Sequence, residues 1–271
     1  MNGASREALA AARESLTALT DSTSVDAVAL ADELAAVTVL LDREKSLRRV
    51  LTDPSRSGER KAELVGTVLG GQVGGTTVDL ISGMVRSRWS ASRDLVDATE
   101  ELADSADLVA AERDGSLEET EDELFRFSRT VSSAPDLRAA LASPTAAVEA
   151  KVRLLHTLLG GKARPATERL VTRLVSVPRG RSLEGGLQAL STLAAERRDR
   201  SVAIVTSAVP LSDRQRERLG SALATLYGRR MHLNLDVDPE VLGGITVRVG
   251  DEVINGSIAD RLGEAERRMA G

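Results

Sequence analysis

Along the first two hundred residues, apolar side chains recur at steps of three and four, the spacing that gathers them on one face of an α-helix. Leu9, Ala12, Leu16 and Leu19 form the first seam, and the polar run Thr20-Asp21-Ser22-Thr23-Ser24 ends it. A longer helix is predicted through Val28, Ala31, Leu34, Val37 and Leu41, all facing inward. Leu47, Val50 and Leu51 predict a short helix closed by Asp53-Pro54. Leu64, Val68 and Leu69 carry the next helix to Gly70-Gly71, a stop that uses glycine's tolerance of left-handed backbone.

The same punctuation returns 90 residues later without a gap. Leu47, Arg48, Leu51 and Pro54 match Leu137, Arg138, Leu141 and Pro144, and Gly70-Gly71 matches Gly160-Gly161. In all, 14 positions between 47–85 and 137–175 are identical, among them Lys61 with Lys151 and Thr77 with Thr167. Shared proline and glycine stops are harder to obtain by chance than shared leucines, so the pattern predicts a duplicated helical unit of about 90 residues. The second copy runs through Leu95, Ala98, Leu102 and Val109, then Leu117, Leu124, Phe127 and Val131. Its last helix, over Leu183, Leu187, Leu190 and Ala194, ends in a charged run at 196–200. The helix near 91–113 is expected to serve both copies.

At Ser201 the period shifts. Residues 202–209 are rich in β-branched side chains and read as a strand ending at Pro210. Ser212 with Gln215 is a capping-box signal for a helix through Leu219, Leu223 and Leu226. Leu233, Leu235 and Val237 alternate as a second strand. Within 243–257, Ile245, Val247 and Val249 alternate with Thr246 and Arg248, and Gly250-Asp251 is placed for a two-residue hairpin turn. Such a loop pairs Val247 with Ile254. Asn255-Gly256 breaks the second strand, and Ser257 can cap a helix with Ile258, Leu262, Ala265 and Met269 on one face. The predicted fold is mainly α with a C-terminal α+β module: a tandem helical bundle, built from a duplicated five- to six-helix unit, followed by a small sheet with two helices. The corresponding boundaries are 1–90, 91–200 and 201–271.

Composition narrows the function. Aromatic residues make up 1% of the chain, so its cores are built from Leu, Val and Ala. With no cysteine, disulfides and thiolate metal sites are excluded. No apolar run approaches the roughly 18 residues that span a bilayer, and the first residues lack the pattern of a secretion signal. Net charge is −10 over 91–136 and +7 over 137–200. These blocks either face each other within a bundle or present a basic surface to a nucleic acid. The scarcity of aromatic platforms for bases favours the first reading.

Catalytic chemistry finds no foothold. The glycine-rich run 70–77 has Thr76 where a phosphate-binding loop needs lysine, and no strand leads into it. His156 and His232 have no partner at metal-ligand spacing. Acidic pairs such as Glu118-Glu119 belong to a solvated helix, and Trp89 reads as an anchor at a bundle end. No catalytic, cofactor-binding or metal-binding residue is assigned.

Pro210-Leu211-Ser212, the helix to Tyr227-Gly228, Val237-Asp238-Pro239 and the segment Gly243-Gly244-Ile245-Thr246-Val247-Arg248-Val249-Gly250-Asp251 together resemble the delta subunit of bacterial F-type ATP synthases. That family includes the oligomycin-sensitivity-conferring protein. Its signature usually has Asp where Asn255 stands here, a departure for which no physical account is found. The likeness covers roughly 91–271, and residues 1–90 then form an added repeat copy. The resemblance implies a non-catalytic peripheral-stalk (stator) role. A helical domain would grip N-terminal segments of the alpha subunits, and the C-terminal module would bind the end of the b subunit through Ile258, Leu262, Ala265 and Met269. It further implies a place on the cytoplasmic face of the bacterial membrane, with membrane contact only through the complex. A helical nucleic-acid-binding or adaptor protein using 137–200 is the competing expectation, and a small enzyme built on the α+β module lacks nucleophile, base and metal ligands.

Overall fold

The computed structural model describes residues 1–21, 24–227, 231–238, 244–249 and 252–255. The chain divides into two compact units, Met1–Ala194 and Ala195–Gly271. Among the described residues the first unit is helical: α1 (Gly3–Asp21), α2 (Ala27–Arg43), α3 (Lys45–Leu51), α4 (Gly58–Leu69), α5 (Gly75–Arg86), α6 (Ser92–Asp114), α7 (Leu117–Ser133), α8 (Pro135–Ala142), α9 (Val148–Leu159), α10 (Pro165–Ser176) and the greater part of α11 (Leu183–Ser201), whose last residues fall in the second unit.

The duplication is visible in the element boundaries. Adding 90 to the limits of α2, α4 and α5 gives those of α7, α9 and α10. Both glycine stops also repeat. Gly70 and Gly160 follow the last residues of α4 and α9, and Gly71 and Gly161 hold φ of 74° and 67°, where a side chain would be strained. A carboxylate clamp recurs at the same offset. Glu33 on α2 accepts the Gly74 N–H at 3.0 Å and the Thr77 hydroxyl. Glu123 on α7 accepts the Arg164 N–H at 2.8 Å and the Thr167 hydroxyl at 2.6 Å. Each clamp satisfies donors at the start of the fifth helix of its copy and sets a negative charge against the positive end of that helix. Both threonines are fully buried, which accounts for their identity across the repeat.

α6 belongs to both copies. Leu95, Val96, Ala98, Leu102, Ala103 and Ala106 join the core formed with α1–α5, while Leu108 and Ala111 join that of α7–α11. It stops where Gly115 turns left-handed at φ 78° and the Ser116 N–H reaches back to the Ala111 carbonyl at 2.8 Å. Just before that stop, the Arg113 guanidinium donates to the carbonyls of Thr20 and Val25, so the same helix ties down the α1–α2 connection. The inward face of α2 is rotated slightly from expectation. Ala27, Leu30, Ala31, Leu34, Val37, Thr38 and Leu41 are buried, and Val28 lies 40% exposed at the start of the helix.

The second unit carries β1 (Val202–Ser207), α12 (Asp213–Tyr227), β2 (His232–Val237), β3 (Ile245–Val249) and β4 (Glu252–Asn255), with sheet order β2-β1-β3-β4. β1 pairs parallel with β2, across the α12 crossover, and antiparallel with β3. The hairpin register pairs Val247 with Ile254, as the two-residue loop requires. The Gln215 side chain accepts the Ser212 N–H at 2.9 Å, the capping-box contact predicted from sequence. Ala203, Val205, Leu223, Val247 and Val249 form the core. Leu226 and Val237, expected inside, are 64% and 45% exposed, and Tyr227 packs on the core instead. The Tyr227 hydroxyl reaches Glu252 at 2.9 Å, so the end of α12 is held to β4.

If the clamps are products of duplication, they contribute alike. Glu33→Gln and Glu123→Gln are each expected to lower unfolding free energy by about 1 kcal/mol in urea denaturation. An effect in one copy alone would separate the two clamps.

Candidate partner-binding site

No set of three or more His, Cys, Asp or Glu able to hold a metal ion occurs among the described residues. His156 is largely exposed and contacts Glu168 through Nδ1 at 2.9 Å. His232 opens β2, aligned with Val202. The glycine-rich run at 70–75 is a turn between α4 and α5. Trp89 is buried, and its indole N–H donates to the Met84 carbonyl at 2.8 Å, an anchor inside the bundle. No described helix is long and apolar enough to cross a membrane.

The acidic and basic blocks face each other. Asp97, Glu100, Asp104 and Asp107 follow one another at helical steps along α6. Arg173 on α10 bonds Asp104 at 2.8 Å and also Asp107. Arg169 bonds Asp107 at 2.6 Å and, across the junction between copies, Asp32 on α2 at 2.6 Å. From the α10–α11 connection, Arg179 bonds Asp97 at 2.8 Å and Glu100, and Arg181 bonds Glu100. The left-handed backbone of Arg179 and Gly180, at φ 49° and 77°, accompanies the turn that brings the guanidinium under α6. Arg179 and Asp107 are almost wholly buried, so their charges depend on these partners. Four cations of the basic block, Arg169, Arg173, Arg179 and Arg181, are thus engaged within the protein. The sequence favoured the two blocks facing each other within a bundle, as they do here, but not which residues pair, because a charge stripe on a helix reads equally as a solvated face.

One cleft opens beside the seam, between α8, α9, α10 and the start of α11, with a volume of about 270 Å³. Leu141, Leu174, Val175 and Leu183 give it an apolar floor, and Lys151 and Arg181 lie among its walls. At its edge Arg138 and Glu184 pair at 2.8 Å. The four residues predicted to meet the b subunit, Ile258, Leu262, Ala265 and Met269, lie outside the described residues, as does the turn Gly250-Asp251. The sheet that precedes that seam is described, with Asn255 as the last residue of β4, aligned with Thr246.

Comparison with known proteins gives four findings. The model of the family described as ATP synthase delta (OSCP) subunit matches residues 105–269. A protein of Streptomyces griseus named ATP synthase subunit delta is 72% identical over 271 residues, covering 100% of both chains. Another so named, from Thermobifida fusca, is 48% identical over 248 residues and covers 92% of each. A chain in the cryo-EM structure of the Toxoplasma gondii mitochondrial ATP synthase hexamer is 24% identical, with a TM-score of 0.32, covering 62% of this chain and 95% of that one.

The buried seam makes two predictions. Arg179→Ala leaves the buried Glu100 with Arg181 alone and should cost about 3 kcal/mol in chemical denaturation, whereas Arg126→Ala, which breaks the exposed pair with Asp122, should cost under about 0.5 kcal/mol. Burial pushes the Asp104 carboxyl up to about 7, against the opposing pull of Arg173. The folded state therefore binds this proton more tightly than the unfolded chain, and stability from this group rises as pH falls from about 7 toward the ordinary carboxylate range. Asp104→Asn, which imitates the protonated form, should raise Tm more at pH 8 than at pH 5; an equal change at both would contradict the shift.

Proposed function

The chain belongs to the ATP synthase delta (OSCP) subunit family, and we propose that it works as a two-ended clamp between the catalytic head and the membrane-anchored b subunit. It is a non-catalytic peripheral-stalk subunit of the ATP synthase. In the proposed arrangement the helical end holds N-terminal segments of the alpha subunits. The C-terminal module, through Ile258, Leu262, Ala265 and Met269, holds the C-terminal end of b. The clamp keeps the head from turning with the rotor, so that proton-driven rotation yields ATP synthesis. Its place is the cytoplasmic face of the bacterial membrane, reached only through the complex.

The observation that carries this reading is identity of 72% along the whole length of a protein named as that subunit, joined to a two-part build. Helical faces suit partner helices, and a rigid sheet suits a fixed attachment point. We take residues 1–90 as an extra helical copy, 91–200 as the family's helical domain and 201–271 as its C-terminal module. The family model begins at residue 105, within α6, which supports treating the first copy as the addition.

Purification of the tagged chain from detergent-solubilised membranes should recover alpha and b subunits together. Leu262→Glu should reduce recovery of b severalfold while alpha remains. Recovery of the wild-type chain without either subunit would reject the clamp, and undiminished b with the variant would reject the seam.

A further inference from the structure

The duplicated helical unit contains one lysine twice, in two different electrostatic settings. Lys61 on α4 and Lys151 on α9 stand 90 residues apart, and each is more than nine-tenths buried, at 5% and 7% exposure. A buried ammonium is costly unless an opposite charge answers it. In the first copy burial holds the Lys61 ammonium below the ordinary lysine value, and the nearby charge of Asp53 opposes that pull without an ion pair between them. In the second copy the residue at the Asp53 position is Ser143, whose hydroxyl is occupied by Thr145 and the Ala146 N–H. The Lys151 backbone N–H donates to the Ala147 carbonyl at 3.3 Å, but its ammonium makes no hydrogen bond or ion pair with any described residue. Its ammonium nitrogen is also absent from the fully enclosed, unpartnered polar atoms, so its end retains access to the surface.

The cleft of the second copy lies at this residue. Lys151 lines it together with Leu141, Leu174, Val175 and Leu183. The other cations there are already matched, Arg138 by Glu184 and Arg181 by Glu100. One uncompensated positive charge therefore remains in an apolar hollow of about 270 Å³. In the first copy the indole of Trp89 is tethered to Met84, the counterpart of the cleft residue Leu174. In the second copy Arg179 holds the position of Trp89 and turns instead to Asp97 and Glu100.

We propose that this cleft of the second copy docks a partner-protein segment that pairs apolar side chains with a carboxylate, an Asp or Glu that ion-pairs with Lys151. The apolar floor supplies contact area, and the lysine fixes register by rewarding one acidic position and penalising an apolar or basic one. This deepens the clamp reading and rests on it: the second copy, rather than the added first copy, becomes the gripping one.

The test uses the assembled ATP synthase containing the full chain. Carbodiimide, which joins an amine to a carboxylate in direct contact, should couple Lys151 to an Asp or Glu of another subunit, identified by peptide mass spectrometry. Lys151→Met keeps the aliphatic stem and should leave the Tm of the free chain unchanged or higher, while dissociation from the complex accelerates about tenfold or more. Lys61→Met should leave dissociation unchanged. Coupling of Lys151 to a carboxylate of its own chain would overturn the proposal. So would a Lys151 that stays open to acetylation in the complex, or Lys151→Met dissociating at the wild-type rate. Those results leave the clamp intact if the chain still purifies with the complex, whereas failure to co-purify rejects the clamp itself.

Discussion

The helical unit depends on what α6 must do at once. It is the last helix of one copy and the first of the next, so it is buried nearly all round, with one side apolar and the other acidic. Toward the first copy, Leu95, Ala98, Leu102 and Ala106 pack as an ordinary core. Toward the second, Asp97, Glu100, Asp104 and Asp107 require cations, and Arg169, Arg173, Arg179 and Arg181 provide them. Such a seam need not add net stability over an apolar one. It does set register, because a shift of one turn would strand several charges together. Arg169 carries that specificity past α6, since the same guanidinium holds Asp107 and Asp32. The tandem copies are thereby welded rather than strung.

A stator transmits torque without turning, and the architecture suits that duty. Each copy orients its fifth helix by a half-buried glutamate clamp, and the shared helix makes the two copies one body. The asymmetry between copies bears on function. The first copy has Trp89 and Asp53 where the second has Arg179 and Ser143, and the second carries a cleft lined by a lysine whose ammonium has no described partner.

Much of this was legible in the sequence. Apolar periodicity located the helices, because packing on one face demands steps of three and four, and the glycine stops fell where left-handed backbone occurs. Hairpin register followed from loop length. Side chains at element ends were harder to place. Val28, Leu226 and Val237 fit the pattern yet remain exposed, since terminal turns and strand ends have fewer neighbours. The clamp residues escaped notice because Glu33 and Glu123 lie just upstream of the compared segments; extending the same offset would have exposed the pair. The cleft was not legible at all. It is formed where α8, α9, α10 and α11 meet, and periodicity along single helices carries no sign of how they come together.

The central claim is that α6 and its ionic seam make the doubled helical unit a single cooperative body. Native-state hydrogen exchange of the full chain measures this directly. Buried amides of α2 and α10 should open with the same free energy and the same denaturant dependence. Opening of α2 at much lower free energy, with α10 still protected, would show two independent copies and contradict the account.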